Sequence, residues 1–346
     1  MVYAKRYTAT LTLAFTLVGL GLCQTSAVAQ ENTTDPHRIQ IALHDECIAD
    51  LVFSGAATTA DFVAVAKPIF RIDRVVISAR LLIAELGLNR DELTLPQKLE
   101  LLDTKLRLIR RVADNQGVRI IALDIGQVRM DDGQVRADDA EGRTYMKYCI
   151  PLRVWLKAAN DLGCDRALVS LYSTKADATG VKLVVDELRR VCESVSDLEV
   201  AFMNSQGASA DARWIGDVVR GVRANGVTNI SAAVNVGTLK YDPAKAFKQL
   251  SDLAAAEQGP KQQPIVSTIV AETRKSVQAP EDNPASRDPF ADYEKILTRE
   301  NISTDVFNRG DLVMKFKGFK NVKVGIETSI RLAEKMRRTL ESGSSP

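Results

Sequence analysis

Histidine is nearly absent: His37 and His44 are the only two in 346 residues, which excludes a His-rich metal centre. Cysteine is scarce too, with five residues and no Cys-x-x-Cys knuckle among them. No Gly-x-Gly-x-x-Gly follows the first predicted strand, so a dinucleotide fingerprint is missing. No Gly-x-Ser-x-Gly elbow occurs either, and a Ser-His-Asp triad would have to recruit His44 without one. Aromatics make up only 5%, which disfavours a sugar platform of stacked rings. The net charge is +2, from 46 basic and 44 acidic residues. That balance provides no basic stripe for nucleic acid, and no nucleic-acid partner is expected.

One long apolar run exists, at the N-terminus. Lys5 and Arg6 precede Leu11 to Leu20, and Ala27-Val28-Ala29 supplies the small-x-small pattern that a signal peptidase cuts. Residues 1–29 therefore read as a cleaved secretory signal, with residues 30–346 exported to the periplasm or the extracellular space. A lipid anchor on Cys23 is disfavoured by bulky Leu22 before it. No further run is long enough to span a bilayer, so no membrane association is expected after cleavage. Export permits disulfides among Cys47, Cys149, Cys164 and Cys192, though the spacing assigns no pairing; Cys192 falls on the apolar side of a predicted helix, as a buried thiol would.

What is abundant is alternation. Short Val- and Ile-rich runs predict strands at Ile39–Leu43, Arg74–Ala79, Arg119–Ile125, Arg166–Leu171, Leu198–Met203, Thr228–Val236, Pro264–Ala271 and Asn321–Ile326. They lack strict polar alternation, as strands buried on both faces do. Between them, Leu99, Leu102, Leu106, Ile109 and Ala113 recur at helical spacing, as do Val184, Leu188 and Val191. Ile215, Val218, Val219 and Val222 form another stripe, and Ile330, Ala333 and Leu340 a last one. Glycines 117, 163 and 226 stand where each helix should stop before the next strand. Eight such units predict an α/β chain folded as one (β/α)8 TIM barrel. Two polar stretches, Asp131 to Arg143 and Thr273 to Asp292, read as loops at the barrel mouth.

Barrel chemistry is carried at the carboxyl ends of the strands, because the strand fixes each side chain while the next loop shapes the pocket. The predicted ends carry His44, Asp45 and Glu46; Ser78 and Arg80; Asp124 and Gln127; and Ser170. The later ones carry Asn204, Asn235, Glu272 and Glu327. Glu46, Glu272 and Glu327 are the candidate proton-transferring carboxylates. His44, Asp124, Asn204 and Asn235 are candidate ligand-binding groups.

The order of these ends resembles that of the xylose isomerase-like TIM barrels, the superfamily of sugar isomerases and epimerases, over roughly residues 39 to 341. The run Phe316-Lys317-Gly318-Phe319 leads into Val322-Lys323-Val324-Gly325-Ile326-Glu327, similar to the family's last strand with its metal-binding glutamate. Met203-Asn204 falls where a Glu-Asn pair is usual, and Val234-Asn235-Val236-Gly237 where an aspartate is usual. The resemblance implies a divalent cation held by two glutamates, an aspartate and a histidine, polarising a sugar carbonyl and its neighbouring hydroxyl. Here Met203 and Asn235 replace two of those ligands, and Ile265 to Ala271 contains no histidine. A thioether and an amide do not substitute for carboxylates on a hard cation. The expectation is therefore no metal cofactor.

Two functions fit this reading. One is a divergent sugar isomerase or epimerase acting on a small sugar or polyol through carboxylates. The other is a non-catalytic barrel that binds a carbohydrate-like ligand or a partner protein. Convergence of Glu46, Glu272 and Glu327 in one pocket favours the first; scattering on the rim favours the second.

Overall fold

The computed structural model describes residues 39–131, 134–137, 151–172, 177–205, 208–239, 243–255, 264–272, 293, 297–298, 300–302, 306–307, 310–316 and 322–342. The signal-like segment, Cys149 and the stretch Thr273 to Asp292 lie outside them. Among the described residues, no helix is long and apolar enough to cross a membrane.

Eight parallel strands close into a barrel: β1 (Ile39–His44), β2 (Arg74–Ser78), β3 (Arg119–Asp131), β5 (Arg166–Tyr172), β6 (Glu199–Met203), β7 (Ile230–Asn235), β8 (Val266–Glu272) and β9 (Gly310–Lys315). The order β2-β1-β9-β8-β7-β6-β5-β3 is completed by pairing of β2 with β3, which removes both sheet edges. Helices follow the strands and ring the outside, so the fold is the α/β TIM barrel expected from the alternation.

The helices form for the reasons their sequences give. In the helix Leu95–Gln116, Leu102, Leu106, Ile109 and Ala113 bury one stripe, and a reciprocal pair of hydrogen bonds between Thr94 and Gln97 caps its start. Gly117 ends it in the left-handed region at φ 61°, where a residue with a Cβ is strained. Cys192 is fully buried on its helix, and Cys47 and Cys164 are buried free thiols.

Two predicted elements are corrected. The eighth strand is Gly310–Lys315, and of the predicted strand Asn321–Ile326 the described residues, 322–326, open the helix Val322–Ser342. Its buried stripe runs from Ile326 through Ser329, Leu332, Ala333, Met336 and Leu340, so helical spacing outweighs the β-branched Val322 and Val324. The true strand has only Leu312, Val313 and Met314 as its apolar run, bounded by charged residues. Gly310 opens it because a Cβ there would meet the Ser267 carbonyl of β8 at 2.2 Å. The other correction concerns Asp131 to Arg143. β3 runs on to Asp131 and pairs antiparallel with β4 (Gln134–Ala137), so part of that stretch is sheet.

The interior of the barrel is layered. Ala42, Val76, Ala122, Leu168, Ala201, Ala233, Val270 and Val313 belong to one buried apolar cluster, one residue from each strand. Side chains two residues apart on a strand share a face. Two residues beyond this layer stand His44, Ser78, Asp124, Ser170, Met203, Asn235, Glu272 and Lys315, at the mouth. Two residues before it stand Arg74, Arg166, Glu199, Ser231, Thr268 and Asp311, at the floor. An apolar plug, which Met203 extends upward on β6, thus separates a largely polar mouth from a polar floor.

Candidate active site at the barrel mouth

Asp124, at the inward position of β3, is the hub. Its Oδ2 accepts from His44 Nε2 at 3.0 Å and from Lys315 Nζ at 3.0 Å, while Oδ1 accepts the Gly126 N–H at 3.0 Å. All three side chains are buried. Lys315 ends β9 and Asp124 lies on β3, with β1 and β2 between them, so the ion pair spans a chord across the mouth. Burial opposes ionisation of Asp124, but the Lys315 ammonium and the His44 hydrogen bond outweigh it and hold the carboxyl far below its usual range. For Lys315, burial likewise opposes the charge, and Asp124, Glu272 and Glu46 together push the ammonium above its usual range. It stays protonated at any physiological pH.

His44 is held on both sides. Nδ1 accepts the Glu46 backbone N–H at 3.1 Å, which assigns the Nε2 proton to Asp124 in the neutral ring. Asp45 Oδ1 lies 3.2 Å from the same Nδ1, a buried oxygen with no hydrogen-bond partner in that state. Burial and the Lys315 charge work against a protonated imidazole; the bonds to Asp124 and Asp45 work for it and prevail, raising the His44 pKa above 6.5. Burial also raises the Asp45 carboxyl, against the opposing pull of His44 and the Ser78 N–H.

Two of the three candidate carboxylates come to this centre. Glu46 is buried just beyond β1, accepting from Ser78 Oγ at 3.3 Å and from Arg80 Nη1 at 3.4 Å. Glu272 ends β8 directly beside Lys315, its register partner on β9. Asn235 Nδ2 donates to Glu272 Oε2 at 2.5 Å, and Asn235 Oδ1 accepts the Gly237 N–H at 2.9 Å. Tyr293 adds a hydrogen bond from its hydroxyl to the Glu272 backbone carbonyl. Asn235 thus aims Glu272.

Asn204 is placed differently. Its amide donates to the Asn235 carbonyl at 2.7 Å and to Thr238 Oγ1 at 2.9 Å, and its oxygen accepts the Asn235 N–H at 2.6 Å. It pins the end of β7 and so acts on the mouth through Asn235.

Glu327 is not at a strand end. It lies on the outward side of the helix Val322–Ser342, 47% exposed, with Lys323 Nζ 3.9 Å away. The correction follows from the misplaced strand: the inward position at the end of the true eighth strand belongs to Lys315. Its signal was the inward parity of Asp311, Val313 and Lys315, which a run of three apolar residues leaves faint. Among the described residues, no group of three or more His, Cys, Asp and Glu side chains is disposed to hold a metal ion.

No protein-family model and no curated protein matches the sequence. Solved structures do match the fold. A xylose isomerase-like TIM barrel/4-hydroxyphenylpyruvate dioxygenase fusion protein is 16% identical with a TM-score of 0.55, over 89% of this chain and 45% of that one. The chain therefore spans less than half the length of the fusion protein. A protein from Sinorhizobium meliloti is 15% identical, with a TM-score of 0.54, over 87% of this chain and 98% of that one. The 3-keto-D-glucoside 4-epimerase from E. coli is 11% identical, with a TM-score of 0.52, over 86% of this chain and all of that one (100%). The likeness is one of fold: the closed eight-stranded parallel barrel of this chain is a (β/α)8 TIM barrel, similar to these solved structures, one of which is described as a xylose isomerase-like TIM barrel fusion.

Proposed function

We propose that the protein is exported, binds a small sugar or polyol in the barrel mouth and moves a proton on it, with Glu46 and Glu272 as the transferring carboxylates. The observation that carries this reading is their convergence: Glu272 ends β8 and Glu46 lies in the short 3-10 turn just after β1, the two strands that flank β9, and both act electrostatically on Lys315. Epimerisation or isomerisation next to a carbonyl needs one group to remove a proton from carbon and one to return it. A polar mouth with acceptors, an ammonium and a buried imidazole suits a hydroxyl-rich neutral ligand. The sugar epimerase among the fold neighbours agrees with that substrate class, as analogy.

Calorimetric titration with a panel of ketoses, aldoses and polyols tests the binding half. Proton NMR in deuterium oxide tests the chemistry: the hydrogen next to the carbonyl should exchange for deuterium with the native protein and not with Glu272→Gln. Saturable binding without exchange would make the barrel a sugar-binding protein; no binding by any of the panel defeats the proposal. N-terminal sequencing of the secreted form should begin near Gln30.

A further inference from the structure

The cation that the resemblance calls for does not fit the donors present. Asp124, the hub carboxylate, already accepts three N–H groups, from His44, Lys315 and Gly126. Glu272 is held by an amide N–H, and Glu46 faces Ser78 and Arg80. The positive charge at their centre is supplied by the chain itself. We propose that the Lys315 ammonium is the resident cation of this site, tethered to β9 where a divalent ion would otherwise stand.

Three observations support the assignment. Lys315 is 8% exposed and its Nζ reaches Asp124 across the mouth, so the ammonium is buried at the mouth against the hub carboxylate. The acidic groups that raise its pKa are Asp124, Glu272 and Glu46, each from a different strand end. Its strand partner Glu272 lies in exact register with it, so the pairing is fixed by the sheet and not by a mobile loop. An ammonium has three donors. Among the described residues Asp124 takes one, leaving two for ligand oxygens. Two adjacent oxygens, a carbonyl beside a hydroxyl, match that pair of donors. The ligand part of the inference rests on the sugar reading above; the cation part does not, and it is tested without sugar.

The test is manganese binding, followed by thermal unfolding and by the electron paramagnetic resonance of free Mn2+. The native protein should show no saturable response. Lys315→Glu removes the tethered charge and adds a carboxylate beside Asp124, Glu46 and Glu272. It should bind one Mn2+, with Tm rising by roughly 5 °C at a hundredfold excess over Kd. Glu272→Gln in that background should weaken the binding at least tenfold. Should Lys315→Glu fail to fold alone, recovery of its far-UV dichroism on adding Mn2+ is the same result, and Lys315→Gln, without the extra negative charge, gives a second route to it. Saturable Mn2+ binding by the native protein, lost in Glu272→Gln, would overturn the proposal. So would folded Lys315→Glu and Lys315→Gln that both ignore Mn2+.

Discussion

The two ends of this barrel hold buried charges in opposite ways. At the floor, Asp311 of β9 is clamped by two guanidinium groups: Arg74 donates Nε and Nη2 to Oδ1 at 3.2 and 2.9 Å, and Arg166 donates Nη1 to Oδ2 at 2.7 Å. Arg166 Nη1 also reaches Thr268 Oγ1 at 2.8 Å and the Ser267 carbonyl at 3.2 Å. At the mouth, Asp124 is shared by an ammonium and an imidazole. Planar guanidinium forks saturate a carboxylate from fixed directions and never lose their proton, which suits a girder. Lysine keeps donors in reserve and histidine changes charge near neutrality, which suits a site. The same strand, β9, supplies Asp311 to one end and Lys315 to the other.

If that contrast is real, breaking the floor should cost the most. Asp311→Asn leaves two part-buried arginines sharing a neutral amide in place of a buried carboxylate, and removing one partner of a buried ion network costs about 3–5 kcal/mol. Urea denaturation should show that loss, while sugar binding by the folded fraction stays within a few-fold of the native value. Loss of binding with stability intact would make the floor part of the site.

The mouth should respond in the reverse sense. Lys315→Met removes the ammonium, but Asp124 keeps its bonds to His44 and Gly126, so the loss of stability should be smaller, about 1–3 kcal/mol. Calorimetry with whichever sugar binds the native protein should show affinity falling more than tenfold. A larger loss of stability than Asp311→Asn, with affinity unchanged, would make Lys315 a second girder.

The pH dependence sharpens the comparison further. His44 has a folded pKa raised above 6.5, so its contribution to stability is full below that value and fades as pH rises through the folded pKa. Asp124 is depressed below 3.8, so its contribution is full above 3.8 and fades only as pH falls through its folded value. The stability difference between the native protein and His44→Gln should therefore shrink from pH 6 toward pH 9. The arginine clamp has no proton to lose over that range. A difference that grows with pH would contradict the assigned direction.

The sequence made the barrel legible because its signal is repeated. Seven of the predicted strands fall on observed ones, and each helical stripe is long enough to fix its period. The mouth was legible where a polar residue follows a long apolar run, as Asp124 follows Ile120-Ile121-Ala122-Leu123. It was not legible at β9, where three apolar residues lie between Asp311 and Lys315. Parity carries the information there, and parity is visible only once the register with β8 and β1 is known. Asn204 illustrates a second limit. Its type marks it as polar and buried, yet whether its amide faces a ligand or the backbone of the next strand depends on tertiary contacts.

The smallest expected effect belongs to Glu327. A carboxylate ending a predicted strand would face the mouth, but this one stands on the outer helix, about half exposed, one turn from Lys323. Exposed pairs four apart on a helix contribute about 0.3–0.5 kcal/mol and are screened by salt. Here the lysine precedes the glutamate, the less favourable orientation, and the 3.9 Å separation is at the limit of an ion pair. Glu327→Gln should therefore shift stability by at most a few tenths of a kcal/mol, and less in high salt. It should leave sugar affinity and deuterium exchange as they are in the native protein. Glu272→Gln, the same chemical change made at the mouth, should abolish exchange. Measured side by side, the two substitutions separate a carboxylate on the helical ring from one inside the barrel; equal losses of exchange in both would return Glu327 to the site.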